Sequence, residues 1–138
     1  PTNFANYLKT APTLEKLGQS FEKFYMFAGN HDLYYKDNRD ISSTEFARHI
    51  PGITVVDQMI VEDDVALVPW LVGDEWKKIE KLKAKYLFGH FELPSFYMNA
   101  MVQMPDHGEL KAEHFKNQEY VFSGHFHKRP MLGTTTVV

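Results

Sequence analysis

Phe24-Tyr25-Met26-Phe27-Ala28-Gly29-Asn30-His31-Asp32 is a short apolar run closed by a glycine and followed at once by polar side chains. The chain repeats this pattern twice. Tyr86-Leu87-Phe88 leads into Gly89-His90, and Tyr120-Val121-Phe122-Ser123 leads into Gly124-His125-Phe126-His127. Each run has the length of a buried strand, and each glycine marks a strand end. Open α/β sheets hold their ligands beyond the carboxyl ends of the strands. Three such ends side by side gather Asn30, His31, His90, His125 and His127, and an amide oxygen among several imidazoles suits a divalent metal. Any one of these motifs alone has a plainer meaning. Gly-Asn-His-Asp is a good turn, and His125-x-His127 fits one face of a strand. The argument for a shared site rests on all three occurring together.

The segments between the motifs alternate strand and helix, which predicts an α/β fold rather than an all-β one. Residues 3–8 put Phe4, Tyr7 and Leu8 on one helical face, with Thr2 as N-cap. Pro12 either interrupts this helix or begins a second, and Gly18 is placed to end it. Ser42 and Glu45 have capping-box spacing ahead of a helix through Phe46, Ala47 and Ile50, which Pro51-Gly52 stops. Residues 53–56, 59–62 and 65–69 read as strands, the last two as a hairpin turning at Asp63-Asp64. Asp74 caps a helix to about Lys85, with Trp76, Ile79 and Leu82 as its buried stripe and Asp74–Lys78 as an i,i+4 pair. Residues 34–40 and 94–105 read as loops, residues 109–117 as a short helix, and Lys128 onward as a further strand.

The chain has 138 residues, 43% of them hydrophobic and 24% charged, which suits one folded domain and argues against disorder. A formal charge of −3 gives no global attraction to nucleic acid, so any such binding needs a local patch. The absence of cysteine excludes disulfides and thiolate metal sites. There is no membrane-length apolar run or signal peptide, so the expected location is cytoplasmic. The first residue is Pro1 and the last, Val138, lies just past the third motif, which leads us to expect a fragment. Lys36, Arg39, Lys128 and Arg129 flank the first and third motifs. They are either phosphate contacts or members of solvated loops. Phe91 and Phe126 are expected to pack behind the site. Tyr34, Tyr35, Phe96 and Tyr97 fall in loops near it, and His49, His107 and His114 are assigned to surfaces.

Gly29-Asn30-His31-Asp32, Gly89-His90 and Gly124-His125-Phe126-His127, in this order, resemble the later signatures of the calcineurin-like metallophosphoesterases. The longer stretches Ala28 to Tyr35, Phe88 to Leu93 and Ser123 to His127 are most similar to the SbcD-type nucleases, with the recombination endonuclease subunit of tailed phages as the nearest branch. The resemblance covers most of the chain. It implies an α/β sandwich with helices flanking mixed sheets, present here as an incomplete core. It implies two divalent metals, usually Mn²⁺, with Asn30, His90 and His125 on one and His127 on the other; the residues themselves suit Mn, Fe or Zn equally and leave Mg²⁺ open. His31, paired with Asp32, would stabilise the transition state or protonate the leaving oxygen. It also implies DNA as substrate, cleaved by two-metal phosphodiester hydrolysis in recombination and double-strand-break repair, in the host cytoplasm if phage-encoded. An SbcC-type coiled-coil ATPase would be the partner. Homodimerisation through two helices would put Tyr7, Phe46 and Ile50 at an interface, where Phe46→Glu would give a folded monomer. Two departures stand out. The family's first signatures, Asp-x-His and Gly-Asp-x-x-(Asp/His), are absent, and residues 134–138 lack the usual Gly-Thr-Pro continuation. A small-molecule phosphatase or phosphodiesterase of the same superfamily, and a non-catalytic scaffold on that fold, are the alternatives.

Overall fold

Strand-forming and helix-forming stretches alternate as anticipated, and the computed structural model describes residues 4–94, 109–125, 131–132 and 135–137. The described residues form a mixed α/β structure with two sheets. It forms two compact units, Pro1–Asp57 and Gln58–Val138.

The first unit opens with helix α1, Phe4–Ser20, followed by strands β1, Phe24–Met26, and β2, Ile53–Val55. The two strands pair in parallel, Phe24 opposite Ile53 and Met26 opposite Val55. Between them lie two 3₁₀ segments, Asn30–Asp32 and Glu45–His49. The core is Ala47, Ile50 and Ile53, with Ala11, Leu14, Phe24, Met26, Phe46 and Val55 packed against it.

Here α1 departs from the sequence reading, because Pro12 lies inside one continuous helix and Gly18 does not end it. A proline in a helix interior costs about 3 kcal/mol, through the lost N–H and a clash with the carbonyl four residues back. That carbonyl belongs to Leu8, and Leu8 and Pro12 are both on the side open to solvent. The opposite face carries Ala11 and Leu14 into the core and holds the helix together. Gly18 serves a close approach instead: a Cβ there would lie 2.5 Å from the Pro51 carbonyl oxygen. Gly52, at φ +83°, makes the turn that brings Pro51 there.

The predicted capping box at Ser42 is also replaced. The Ser42 hydroxyl accepts from the Thr44 N–H at 3.2 Å, a local turn, and the helix that follows is a single 3₁₀ segment capped at Thr44.

The second unit holds β3, Ile60–Glu62; β4, Val65–Val68; β5, Tyr86–Gly89; β6, Tyr120–Ser123; β7, Met131–Leu132; and β8, Thr135–Val137. They form one sheet in the order β3-β4-β5-β6-β8-β7. The inner strands β4, β5, β6 and β8 run parallel, and an antiparallel strand closes each edge. The β3–β4 hairpin turns at Asp63-Asp64 as expected, with Asp63 at φ +51°, a conformation aspartate tolerates.

Side chains alternate along β4, β5 and β6. Ala66, Val68, Leu87 and Val121 face a core that also takes Ile79, Ala84, Phe91, Leu93, Leu110 and Phe115. On the other face Tyr86 stacks on Tyr120 at 5.4 Å and Phe88 on Phe122 at 4.6 Å. The connections carry 3₁₀ helices, Gly73–Lys81 and Ala112–Phe115, where longer helices were expected. With three residues per turn, Trp76, Ile79 and Leu82 still fall on one face. Ile79 is fully buried, with Trp76 and Leu82 beside it. The same geometry moves the ion pair of Asp74 from Lys78 to Lys77, at 2.7 Å. Glu75 rather than Asp74 caps the segment, its carboxylate accepting from the Val72 N–H at 3.1 Å. Asn117 and Gln118 close the far end by donating to the carbonyls of Glu80 and Leu82. Among the described residues no helix is long and apolar enough to cross a membrane.

Candidate metal centre

In the second unit the carboxyl ends of β4, β5 and β6 lie side by side, because Val68 pairs with Gly89 and Gly89 with Ser123. Each strand delivers one ring just past its end: Trp70, His90 and His125. The two imidazoles meet, with His125 Nδ1 and His90 Nε2 3.1 Å apart and the rings nearly perpendicular at 79°. The indole of Trp70 lies 5.9 Å from the His90 ring and 6.1 Å from that of His125. On its other side His125 turns Nε2 toward Glu92 Oε1 at 3.7 Å, and its side chain is only 5% exposed.

The loops carrying the two histidines are fastened together. The Gly124 N–H donates to the Gly89 carbonyl at 3.2 Å. The Phe91 N–H donates to the buried Ser123 hydroxyl at 3.0 Å. Phe91 is buried behind the site as expected, and this is why position 89 is glycine. A Cβ on Gly89 would lie 2.2 Å from the Phe91 ring. At Gly124 a Cβ would come within 3.3 Å of His90 Nδ1, so that glycine leaves room for the imidazole.

The donor chemistry fits a divalent ion. Two metal–nitrogen bonds of about 2.1 Å separate their nitrogens by about 3.0 Å at a right angle and about 3.4 Å at the tetrahedral angle. The observed 3.1 Å falls between. Among the described residues no three His, Asp or Glu side chains gather as a complete ligand set. The second unit therefore brings together a pair of candidate ligands, and a metal held there would need other donors as well. His127, expected to reach a second ion, lies outside the described residues, as do Lys128, Arg129, Phe126, Phe96, Tyr97 and His107.

The first motif belongs to the first unit. Asn30, half-buried, and His31, exposed, share one 3₁₀ turn with Asp32. The Asp32 carboxylate accepts from the Gly29 N–H at 2.9 Å and from the Ser43 hydroxyl at 2.9 Å. Its backbone joins the same clamp, the Ser43 N–H donating to the Asp32 carbonyl at 2.7 Å. Both carboxylate oxygens are thus given to Gly29 and Ser43 rather than to the His31 imidazole. Lys36 and Arg39 lie in the following loop, which an isolated bridge between Leu33 and Ser42 closes. Tyr34 and Tyr35, at its start, are exposed and meet edge to face at 4.7 Å. Of the residues expected at a dimer interface, Ile50 is buried in the first unit's core and Tyr7 packs edge to face on Phe46 at 5.5 Å. His114, taken for a surface residue, is half-buried against Trp76, with Nδ1 accepting from the Lys111 N–H at 2.8 Å.

Three residues of the centre escaped the sequence reading. Trp70 had the same signal as the histidines, an apolar run followed by a large ring, but without a glycine to mark the strand end. Glu92 had only its place two residues after His90. Ser123 read as the last residue of a strand, and nothing in the sequence pairs it with Phe91. Comparison with family models, characterised proteins and solved structures gives no match.

Proposed function

We propose that this chain is part of a metal-dependent phosphoesterase of the calcineurin-like type, and that it acts as a DNA nuclease. The observation that carries the reading is the 3.1 Å approach of His90 Nε2 and His125 Nδ1 beyond the ends of adjacent parallel strands. The order and wording of the three motifs support the family, and with it the sandwich fold. In this reading His90 and His125 ligate one ion, and Asn30 and His127 enter as metal ligands from the resemblance alone. A bound divalent ion supplies Lewis-acid polarisation of a phosphate ester and a more acidic water. His31, exposed on a turn that Asp32 holds rigid, is free to meet a substrate oxygen and pass it a proton. The Asp32 clamp fixes the backbone from which His31 projects. DNA as substrate, recombination and repair as setting, the SbcC-type ATPase, the homodimer and Mn²⁺ as metal enter from the resemblance.

Metal counting tests this reading. The ligands in this sequence serve one ion well and a second poorly. The chain is expected to bind at most one Mn²⁺ by calorimetry, weakly, to lose it in His125→Ala, and to leave DNA uncut. Joined to a segment that supplies Asp-x-His and Gly-Asp-x-x-Asp, it should bind two ions and cut plasmid and single-stranded DNA. In that active form His31→Ala should keep the metal and lose about 10²–10⁴-fold in turnover. Turnover of nitrophenyl phosphates without DNA cleavage would favour a small-molecule phosphatase. Mn²⁺ binding that His90→Ala and His125→Ala leave unchanged would sink the metal centre itself.

A further inference from the structure

We infer that Glu92 is a positioning residue that holds the His125 imidazole in the Nε2–H tautomer, so that Nδ1 is the nitrogen presented to a metal. The inference rests on the reading of His90 and His125 as ligands.

The two nitrogens of His125 face different partners. Nδ1 lies 3.1 Å from His90 Nε2, and Nε2 lies 3.7 Å from Glu92 Oε1. An ionised carboxylate only accepts hydrogen bonds. With the hydrogen on Nε2, the ring points an N–H at the carboxylate and a lone pair at His90. The other neutral tautomer points a lone pair at the carboxylate, where two acceptors repel. The side chain of His125 is 5% exposed, so water reaches it little, and the carboxylate facing Nε2 biases the ring toward the Nε2–H form. The gap of 3.7 Å is longer than a hydrogen bond, so the carboxylate acts on the ring through its charge across a nearly dry contact.

The segment carrying Glu92 is well anchored. Phe91, between His90 and Glu92, is 1% exposed, and its N–H is held by Ser123. With Phe91 turned inward, His90 and Glu92 leave the chain on the other side, one toward each nitrogen of His125. A metal-ligating histidine generally donates its second N–H to a carboxylate or carbonyl, and losing that partner typically costs about 10–100-fold in metal affinity.

The two histidines should therefore behave differently. Without metal, His125 Nδ1 accepts, so His90 donates from Nε2. An ion between them needs both nitrogens bare. His90 must then carry its hydrogen on Nδ1, by exchange with water, while His125 keeps Nε2–H throughout.

The test uses the 138-residue chain with ¹⁵N-labelled histidine. Two-bond ¹H–¹⁵N spectra with and without Zn²⁺ report each tautomer, and the absorbance of added Co²⁺ reports affinity. His125 should be Nε2–H in both states and His90 should switch. Glu92→Ala, at an exposed position, should keep the circular dichroism spectrum, show mixed His125 tautomers without metal and bind Co²⁺ about 10–100-fold more weakly. Glu92→Gln, whose amide oxygen still accepts, should recover part of both. Wild-type His125 as Nδ1–H, or wild-type affinity in Glu92→Ala, would overturn the inference. So would weaker binding with an unchanged tautomer. His90→Ala tests the underlying reading separately: Co²⁺ binding that survives it removes the metal site, whatever tautomer Glu92 imposes.

Discussion

At the scale of single residues, the two glycines beside the histidines have different tasks and should fail differently. Both were legible as strand ends, but their packing role was not, because it depends on which ring folds back against them. A Cβ at Gly89 meets three atoms of the Phe91 ring within 2.9 Å. That ring is 1% exposed and cannot swing away. Overpacking of this kind costs about 1–3 kcal/mol. Gly89→Ala is expected to lower the melting temperature and to abolish Co²⁺ binding, since displaced Phe91 carries His90 with it. A Cβ at Gly124 meets the His90 ring alone among the described residues, Nδ1 at 3.3 Å and Cε1 at 4.0 Å. The half-buried imidazole can yield by a few tenths of an ångström. Gly124→Ala should therefore melt like the wild type and bind the metal more weakly. Equal losses of stability in the two variants would mean that the Phe91 contact does not set the cost.

The elements were legible where one physical signal dominates. Strands β4, β5 and β6 alternate cleanly between core and outer face, and the reading placed β3, β4, β5 and β6 within a residue or two. Helix type was not legible. The spacing of Trp76, Ile79 and Leu82 suits a 3₁₀ helix as well as an α-helix, and Gly73 to Lys81 took the tighter form. Nor did the sequence tell whether the apolar side chains of residues 45–50 serve the chain's own core or a second copy. In the structure Ala47 and Ile50 are core, and Phe46 is half-buried between that core and Tyr7. A charge at position 46 loses both contacts. Phe46→Glu is therefore expected to destabilise the first unit by about 1–3 kcal/mol, seen as a lower transition in thermal circular dichroism. A variant that melts like the wild type but scatters light as a monomer would return Phe46 to a subunit interface.

At the scale of the whole molecule, the division at Asp57 and Gln58 left no mark in the sequence. Domain boundaries usually fall in Pro- or Gly-rich linkers, and here a short polar step joins two apolar strands. Charge is the other whole-molecule property, and it constrains the nuclease proposal. The formal charge is −3, and Lys36 and Arg39 share their loop with Asp37 and Asp40. The chain as a whole gives no long-range pull on a polyanion, so under that proposal DNA binding would depend on the basic residues that flank the motifs in sequence. Lys36, Arg39, Lys128 and Arg129 neutralise at most four phosphates. The slope of log K against log salt is about −0.9 per phosphate for duplex DNA, which sets a limit of about −3.6. Affinity should then fall about a hundredfold between 50 and 200 mM salt and no further. Changing Lys36 and Arg39 together to glutamate should flatten the slope by about 2 if both meet phosphates, without altering the metal affinity of the second unit. Fluorescence anisotropy of a labelled duplex across a salt series measures both. A slope much steeper than −4 would require cations beyond these four. A slope unchanged by the double substitution would return Lys36 and Arg39 to a solvated loop.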